Sequence, residues 1–148
     1  MTDPVLQRIQ PAGRTSLWTY GDNRNFPGWH LCCDRPAAAF LLALLDAMPA
    51  ARWPAKKRIP LAADLALTSA TGCAATPRFA KALEIHFDSV HDPALWHLEE
   101  REDGIALSLG ANMLKALRQG IQDLVDGKGD YSIGDPPGLW FWWEVKAG

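Results

Sequence analysis

Two histidines and several carboxylates lie in two short stretches where apolar and polar residues alternate. These polar side chains are Glu84, His86, Asp88, His97 and Glu99. If the two stretches pair as neighbouring strands of a hairpin, His86 faces His97 and the whole set shares one sheet face. Imidazole nitrogens and carboxylate oxygens bind zinc and other divalent ions. One hypothesis is therefore a small metal-dependent hydrolase.

In this hydrolase the metal ligands are His86, His97 and Asp88. Glu99 is a further ligand or, like Glu84, the general base. The spacing matches no compact metal-binding motif, and a slip of one residue in the strand pairing would scatter the set. The simpler interpretation is the polar, solvated face of a sheet.

Two other clusters offer chemistry, and for both a structural interpretation is simpler. His30 and Cys32 share one face of a predicted strand, but residues two apart on a strand are too distant for a nucleophile and its base. Cysteine is among the most buried residue types, so we expect buried thiols there. The basic run Lys56-Lys57-Arg58 is suited to phosphate or an acidic partner, although a solvated loop is the favoured interpretation.

Tryptophan is the outlier of the composition, with seven residues in a chain of 148. Several of them lie in residues 138–145, whose aromatic and β-branched side chains predict a strand. Alternation divides this strand into one face with Leu139, Phe141, Trp143 and Val145, and another with Trp140 and Trp142. A strand that is apolar on both faces needs cover on both sides, so its second face lies under another layer or meets a partner.

Trp140, Trp142, Trp18 and Trp53 are therefore the predicted partner-binding residues. Tryptophan is enriched at the energetic hot spots of protein interfaces, and exposed indole rings also stack on sugars. The alternative interpretation is a tryptophan-rich core with no role in contacts.

The elements that must position these residues begin with a hairpin. Residues 14–20 and 29–33 alternate and are joined by a stretch dense in turn formers. Asp34 then has the position of a helix N-cap, with Pro36 in the first turn. The helix that follows ends before Pro49 and is apolar nearly all round, so we expect it to pack on more than one side.

The rest of the chain is less regular. Residues 1–12 are predicted to be a loose N-terminal arm, and residues 49–79 to be loop-rich. Residues 82–109 predict a three-stranded antiparallel meander with a tight turn at Asp103-Gly104. A second amphipathic helix then runs to about Asp126.

The element order is ββα, an irregular middle, and βββαβ. It predicts a single α+β domain over residues 1–148, with an antiparallel or mixed sheet of about five to six strands and two main helices packed on it. The second helix is expected to cover the apolar face of the meander, and the C-terminal strand to join the same sheet.

Composition narrows the function classes. A net charge of −2 argues against a general nucleic-acid binder, which should be basic. No segment has the features of a signal peptide or an apolar run long enough to span a bilayer. Three cysteines, two of them adjacent, do not suggest a disulfide framework. We expect a cytoplasmic protein with no cofactor and with no membrane or nucleic-acid partner.

The leading hypothesis is a non-enzymatic protein that docks on another protein or forms a homodimer. Aromatic anchors fill a pocket of the partner, and acidic residues steer a basic surface toward it. The acidic residues are Glu99, Glu100, Glu102 and Asp103. A small acidic protein of this kind suits an immunity- or antitoxin-like role in a bacterium. The alternatives are the metal-dependent hydrolase and a carbohydrate-binding module, against which the missing export signal counts.

Overall fold

The computed structural model describes residues 3–20, 28–51, 55–63, 76–129, 131–134 and 137–142. The helices in these residues are α1 (Pro4–Arg8), α2 (Arg35–Ala47), α3 (Ala111–Val125) and a short 3-10 helix (Met48–Ala50). The strands are β1 (Thr15–Thr19), β2 (Trp29–Cys33), β3 (Ala55–Pro60), β4 (Arg78–Phe79), β5 (Ala82–Phe87), β6 (Trp96–Arg101), β7 (Gly104–Leu109), β8 (Tyr131–Ile133) and β9 (Leu139–Phe141). None of the helices in the described part of the chain combines the length and the apolar character needed to cross a membrane.

The strands form two sheets of mixed direction, and the predicted α+β class is confirmed. Sheet A has the strand order β4-β1-β2-β9-β8, and sheet B has the order β3-β5-β7-β6. The predicted hairpin of β1 and β2 is confirmed, with Leu17 opposite Leu31. The C-terminal strand β9 joins this hairpin rather than the sheet that contains the predicted meander.

The predicted meander is wrong in its order, because β7 lies between β5 and β6. It pairs parallel with β5 and antiparallel with β6. The composition of the strands explains this order. β7 is mostly buried, whereas β6 ends in the exposed residues Glu99, Glu100 and Arg101. A charged strand suits a sheet edge, where its side chains reach water and discourage further pairing.

Both sheets contribute apolar residues to one main core with α2 and α3, and these two helices pack on each other. An apolar stripe of α2 is buried in this core, formed by Phe40, Leu41, Leu44 and Leu45, and Met48 directly after the helix is buried as well. The Asp34 cap is also confirmed, because its carboxylate accepts the N–H of Ala37 at 3.0 Å. A cavity of about 10 Å³ remains between the layers, room for at most one water molecule.

Two segments differ from their predictions. The described part of the expected loose arm contains α1, and Leu6 of this helix is fully buried in the main core. Within the loop-rich middle, Ala55–Pro60 form β3, which pairs with β5. The three consecutive basic residues of β3 hide its alternation from a sequence pattern, although Ala55 and Ile59 are buried.

Helix α3 packs closely on sheet A at Gly120. The predicted helix is confirmed, and Gly127 follows it with the left-handed φ of +75° that favours glycine. A Cβ atom at position 120 would overlap the ring of Phe141, which is fully buried in β9. The absence of a side chain at Gly120 therefore lets α3 lie directly on β9.

We expect Gly120→Ala to lower the free energy of unfolding by about 1–3 kcal/mol. Overpacking against Phe141 outweighs the gain of roughly 1 kcal/mol from replacing a helical glycine. Urea denaturation of the purified variant measures the change. The control is Lys115→Ala on the exposed face of α3, which should alter stability by less than about 0.5 kcal/mol. A more stable Gly120→Ala protein would contradict the close packing of α3 on β9.

A hydrogen bond joins the end of α3 to β8. The Tyr131 hydroxyl donates to the Asp123 carboxylate at 2.7 Å, and the Tyr131 ring packs on Phe141 with centroids 5.4 Å apart. Burial and then this hydrogen bond raise the pKa of Tyr131 to about 12. The same hydrogen bond lowers the pKa of Asp123. The folded state thus favours the neutral phenol of Tyr131 and the ionised carboxylate of Asp123.

This pair predicts how stability depends on pH. An unfolded tyrosine titrates near pH 10, so the contribution of Tyr131 is complete below that pH and is lost as the pH rises through about 12. The contribution of Asp123 is complete above roughly pH 4 and is lost as the pH falls through its lowered pKa. Phenolate absorbance is followed during alkaline titrations of the wild type and of Tyr131→Phe. The late ionisation step that is present in the wild type and missing in the variant belongs to Tyr131. Asp123→Asn should move that step to lower pH, and an unmoved step would refute the hydrogen bond.

Candidate functional site: an aromatic cluster around His30

The outer face of sheet A, which points away from α2 and α3, carries a row of rings on four neighbouring strands. The strand register places Phe79 beside Trp18, Trp18 beside His30, and His30 beside Trp140. Leu17, Leu31, Leu139 and Phe141, which are neighbours of these rings in the chain, belong to the main core, because successive side chains of a strand point to opposite faces. Sheet A therefore has an apolar layer on each face.

This outer layer is termed the aromatic cluster, and its members are Trp18, Tyr20, His30, Cys32, Phe79, Trp140 and Trp142. The His30 ring lies at its centre. Its centroid is 5.7 Å from that of Trp18, 6.0 Å from that of Trp142 and 6.4 Å from that of Trp140. Tyr20 approaches it edge-on at 5.2 Å. Offset and edge-on aromatic pairs each contribute about 0.5–1.5 kcal/mol beyond the burial of their area.

One hydrogen bond orients the centre of the cluster. His30 is fully buried, and its Nδ1 atom accepts a hydrogen bond of 2.8 Å from the indole N–H of Trp142. A nitrogen that accepts carries no proton, so the proton of the neutral imidazole is on Nε2. The fully buried indole N–H of Trp18 has no acceptor within the described part of the chain. A buried donor without a partner costs roughly 1–3 kcal/mol.

Three of the four predicted partner-binding residues meet in this cluster. Trp18 comes from β1, and Trp140 and Trp142 come from the C-terminal segment. The three residues differ in exposure, because Trp18 is 0% and Trp142 3% exposed, whereas Trp140 is half-buried. Trp140 is therefore the one of the three that offers part of its ring to a partner. Trp53 and Trp143 lie outside the described residues.

The central position of His30 does not follow from its local sequence pattern. His30 and Cys32 share a face as predicted, and both Cys32 and its neighbour Cys33 are buried. The position of Trp18 opposite His30 follows from the predicted β1–β2 hairpin once its register is fixed. Trp142 is 112 positions from His30 in the chain, and their contact depends on the pairing of β2 with β9, which no local pattern reports.

The predicted metal ligands do not converge. The expected pairing of His86 with His97 is wrong, because both residues pair with Ser108 of the intervening strand β7. His86 Nε2 lies 2.5 Å from Oε1 of Glu84, and Glu99 accepts hydrogen bonds from an arginine of its own strand. In the described ranges, no group of three or more His, Cys, Asp or Glu side chains is arranged to hold a metal ion.

Asp88, the third predicted ligand, points into its own turn. Its Oδ1 atom accepts the N–H groups of Val90 at 2.9 Å and His91 at 3.0 Å, and its Oδ2 atom lies 2.7 Å from Nδ1 of His91. The backbone hydrogen bonds from His91 and Val90, followed by the side chain of His91, lower the pKa of Asp88 to about 2. The carboxylate stabilises the turn after β5, which is an ordinary structural role for aspartate.

The acidic residues expected to steer a basic partner are mostly neutralised within the chain. The ion pairs are Glu99 with Arg101, Glu100 with Arg78, and Asp103 with Arg58. Exposed ion pairs add little stability, but each one cancels a charge that long-range steering requires. Of the four predicted residues, Glu102 alone has no cationic partner among the residues that the structure describes.

The aromatic cluster has an apolar accessible surface. Its buried imidazole is held as an acceptor of a hydrogen bond, and its accessible surface comes from the half-buried rings of Trp140 and Phe79.

No protein-family model matches the chain, and no curated protein matches its sequence.

We expect Trp142→Phe to lower the free energy of unfolding by about 2–4 kcal/mol. The change removes the donor to the buried Nδ1 of His30 and leaves a cavity. Urea denaturation measures the loss. The control is Trp96→Phe, which removes the hydrogen bond of 3.1 Å from Trp96 Nε1 to the carbonyl of Pro137 at a half-buried site. Its expected cost is about 1 kcal/mol. Equal losses of unfolding free energy in both variants would show that the contact between Trp142 and His30 stabilises the fold no more than the half-buried hydrogen bond of Trp96.

Proposed function

We propose that the chain is a non-enzymatic cytoplasmic binding protein that docks on another protein through the half-buried ring of Trp140. The observation that carries this proposal is that the Trp140 ring packs against buried rings, which hold it in place. Trp140 lies 6.1 Å from Trp142 and 6.4 Å from His30, measured between ring centroids, and both of these residues are buried. The exposed part of Trp140 therefore belongs to a side chain that is already positioned.

A positioned ring favours binding for an energetic reason. A flexible side chain loses roughly 0.5–1.5 kcal/mol of conformational freedom when a partner immobilises it. Trp140 loses less, because its neighbours already restrict it. Tryptophans of this kind are enriched among the few interface residues that carry most of the binding energy. Trp18 and Trp142 support this anchor and do not themselves contact the partner.

The proposed mechanism is steric. The partner's pocket receives the Trp140 ring, and the body of the domain covers the surface around that pocket. An immunity- or antitoxin-like protein would mask its target in this way. Among the described residues, His86 contacts Glu84 and Asp88 contacts its own turn, and these contacts do not join the two side chains in one metal site.

The test compares Trp140→Ala with Trp96→Ala, a second half-buried tryptophan on sheet B. Proteins captured by the wild-type chain in its host are identified and purified, and the dissociation constant is then measured by titration calorimetry. Loss of a hot-spot tryptophan costs at least about 2 kcal/mol, so Trp140→Ala should weaken binding roughly thirtyfold. Trp96→Ala should weaken it less than about threefold.

Two controls complete this test. Circular dichroism and urea denaturation verify that both variants are folded before binding is compared. Light scattering of the wild type shows whether the partner is a second copy. Equal affinities for wild type and Trp140→Ala would refute the proposal. A protein that binds oligosaccharides through Trp140, and captures no protein, would instead be a carbohydrate-binding module.

A further inference from the structure

Sheet B ends on one side at β3, and a shallow groove of about 170 Å³ lies beside this strand. The groove is lined by Gln7, Lys56, Lys57, Arg58 and Glu84. It shares no residue with the aromatic cluster. It is termed the basic edge groove.

The register of β3 shows where the basic edge groove runs. Lys57 lies opposite Ile85, whose side chain is in the main core, so Lys56 and Arg58 point to the opposite, outer face of sheet B. A groove lined by all three residues touches both faces of the strand. With Gln7 of α1 as a further wall, it follows the free edge of β3.

Among the described residues, the backbone groups on that edge form no hydrogen bonds. β3 is hydrogen-bonded to β5 on one side only, and no backbone hydrogen bond joins Ala55–Pro60 to any other described segment. Every second residue of an edge strand directs its N–H and C=O toward the open side. The groove therefore places backbone donors and acceptors beside cationic side chains.

The charges in the groove leave a positive excess. Arg58 is paired with Asp103 at 3.1 Å, and Glu84 is held by His86 at 2.5 Å and lies 3.8 Å from Arg101. Lys56 and Lys57 form no ion pair with a described residue. Among the described residues, Lys56 and Lys57 thus provide two uncompensated ammonium groups, one on each face of β3, on a chain whose net charge is −2.

We propose that the basic edge groove binds an extended acidic segment of a partner protein, which adds to β3 as a further strand. Backbone hydrogen bonds to β3 supply the affinity, as in other complexes formed by strand addition. Carboxylates of the segment meet the ammonium groups of Lys56 and Lys57, and this charge match supplies the specificity. Lysines and a terminal proline on an edge strand also discourage pairing with a second copy, and an acidic segment overcomes that barrier by its opposite charge.

The probe is a fluorescent valine peptide with two adjacent glutamates at its centre, so that one carboxylate lies on each face of the added strand. Fluorescence anisotropy is the readout. The wild-type chain should bind it, and Lys56→Glu combined with Lys57→Glu should weaken binding at least about tenfold. The matched control reverses two exposed lysines elsewhere, Lys115→Glu with Lys128→Glu, and should weaken binding less than about threefold. Lys56→Gln with Lys57→Gln replaces the first pair if charge reversal prevents folding.

Two further arms separate strand addition from attraction of any anion. A peptide methylated at alternate backbone nitrogens cannot form the ladder and should bind at least about tenfold more weakly. Hydrogen exchange should slow at residues 55–60 when the unmodified peptide binds. No binding by the wild type, equal binding by the methylated peptide, or complete displacement of the peptide by inorganic phosphate would each overturn the proposal. Because the groove and Trp140 are tested with different variants and probes, failure of one proposal is distinguishable from failure of the other.

Discussion

The parallel pairing of β2 with β9 is the interaction on which the rest of the structure depends. The N–H of Trp29 donates to the carbonyl of Gly138 at 3.0 Å, and the N–H of Trp142 donates to the carbonyl of Leu31 at 3.0 Å. The approach is close at its start, because a Cβ on Gly28, whose φ is +99°, would lie 2.7 Å from the Gly138 oxygen. Parallel neighbours require a long connection. Here that connection contains sheet B and both α2 and α3, so this one pairing closes the fold.

The three residues of β9 serve both apolar layers of sheet A at once. Leu139 and Phe141 enter the main core, where Phe141 meets the bare backbone of α3 at Gly120. Trp140 points the other way and joins the ring row around His30. The high tryptophan content therefore has a structural reason, since a sheet covered on two faces needs a second set of large apolar side chains. That same layer positions the half-buried ring on which the proposed docking depends.

Among the described residues of sheet B, the unpaired charges lie at the β3 edge rather than on the outer face. On the outer face the small side chain of Ala106 lies between the strands of Glu84 and Glu99, and Arg101 approaches Glu84 to 3.8 Å from across β7. Such pairs balance their own charges and leave little net field. The free edge of β3 differs, because its two lysines are not balanced by neighbouring carboxylates. The aromatic surface and the charged edge are therefore chemically distinct surfaces of the molecule.

Local sequence determined the α+β class, the β1–β2 hairpin, the Asp34 cap of α2 and the extent of α3, because alternation, capping and helical periodicity act between residues close in the chain. It also divided the residues of β9 between two faces. Tertiary structure decided that β7 separates β5 from β6, which removed the expected meeting of His86 with His97. It also decided that His30 lies under Trp142, since strand order and parallel pairing arise from competition among distant apolar surfaces for one core. No short-range pattern records the outcome of that competition.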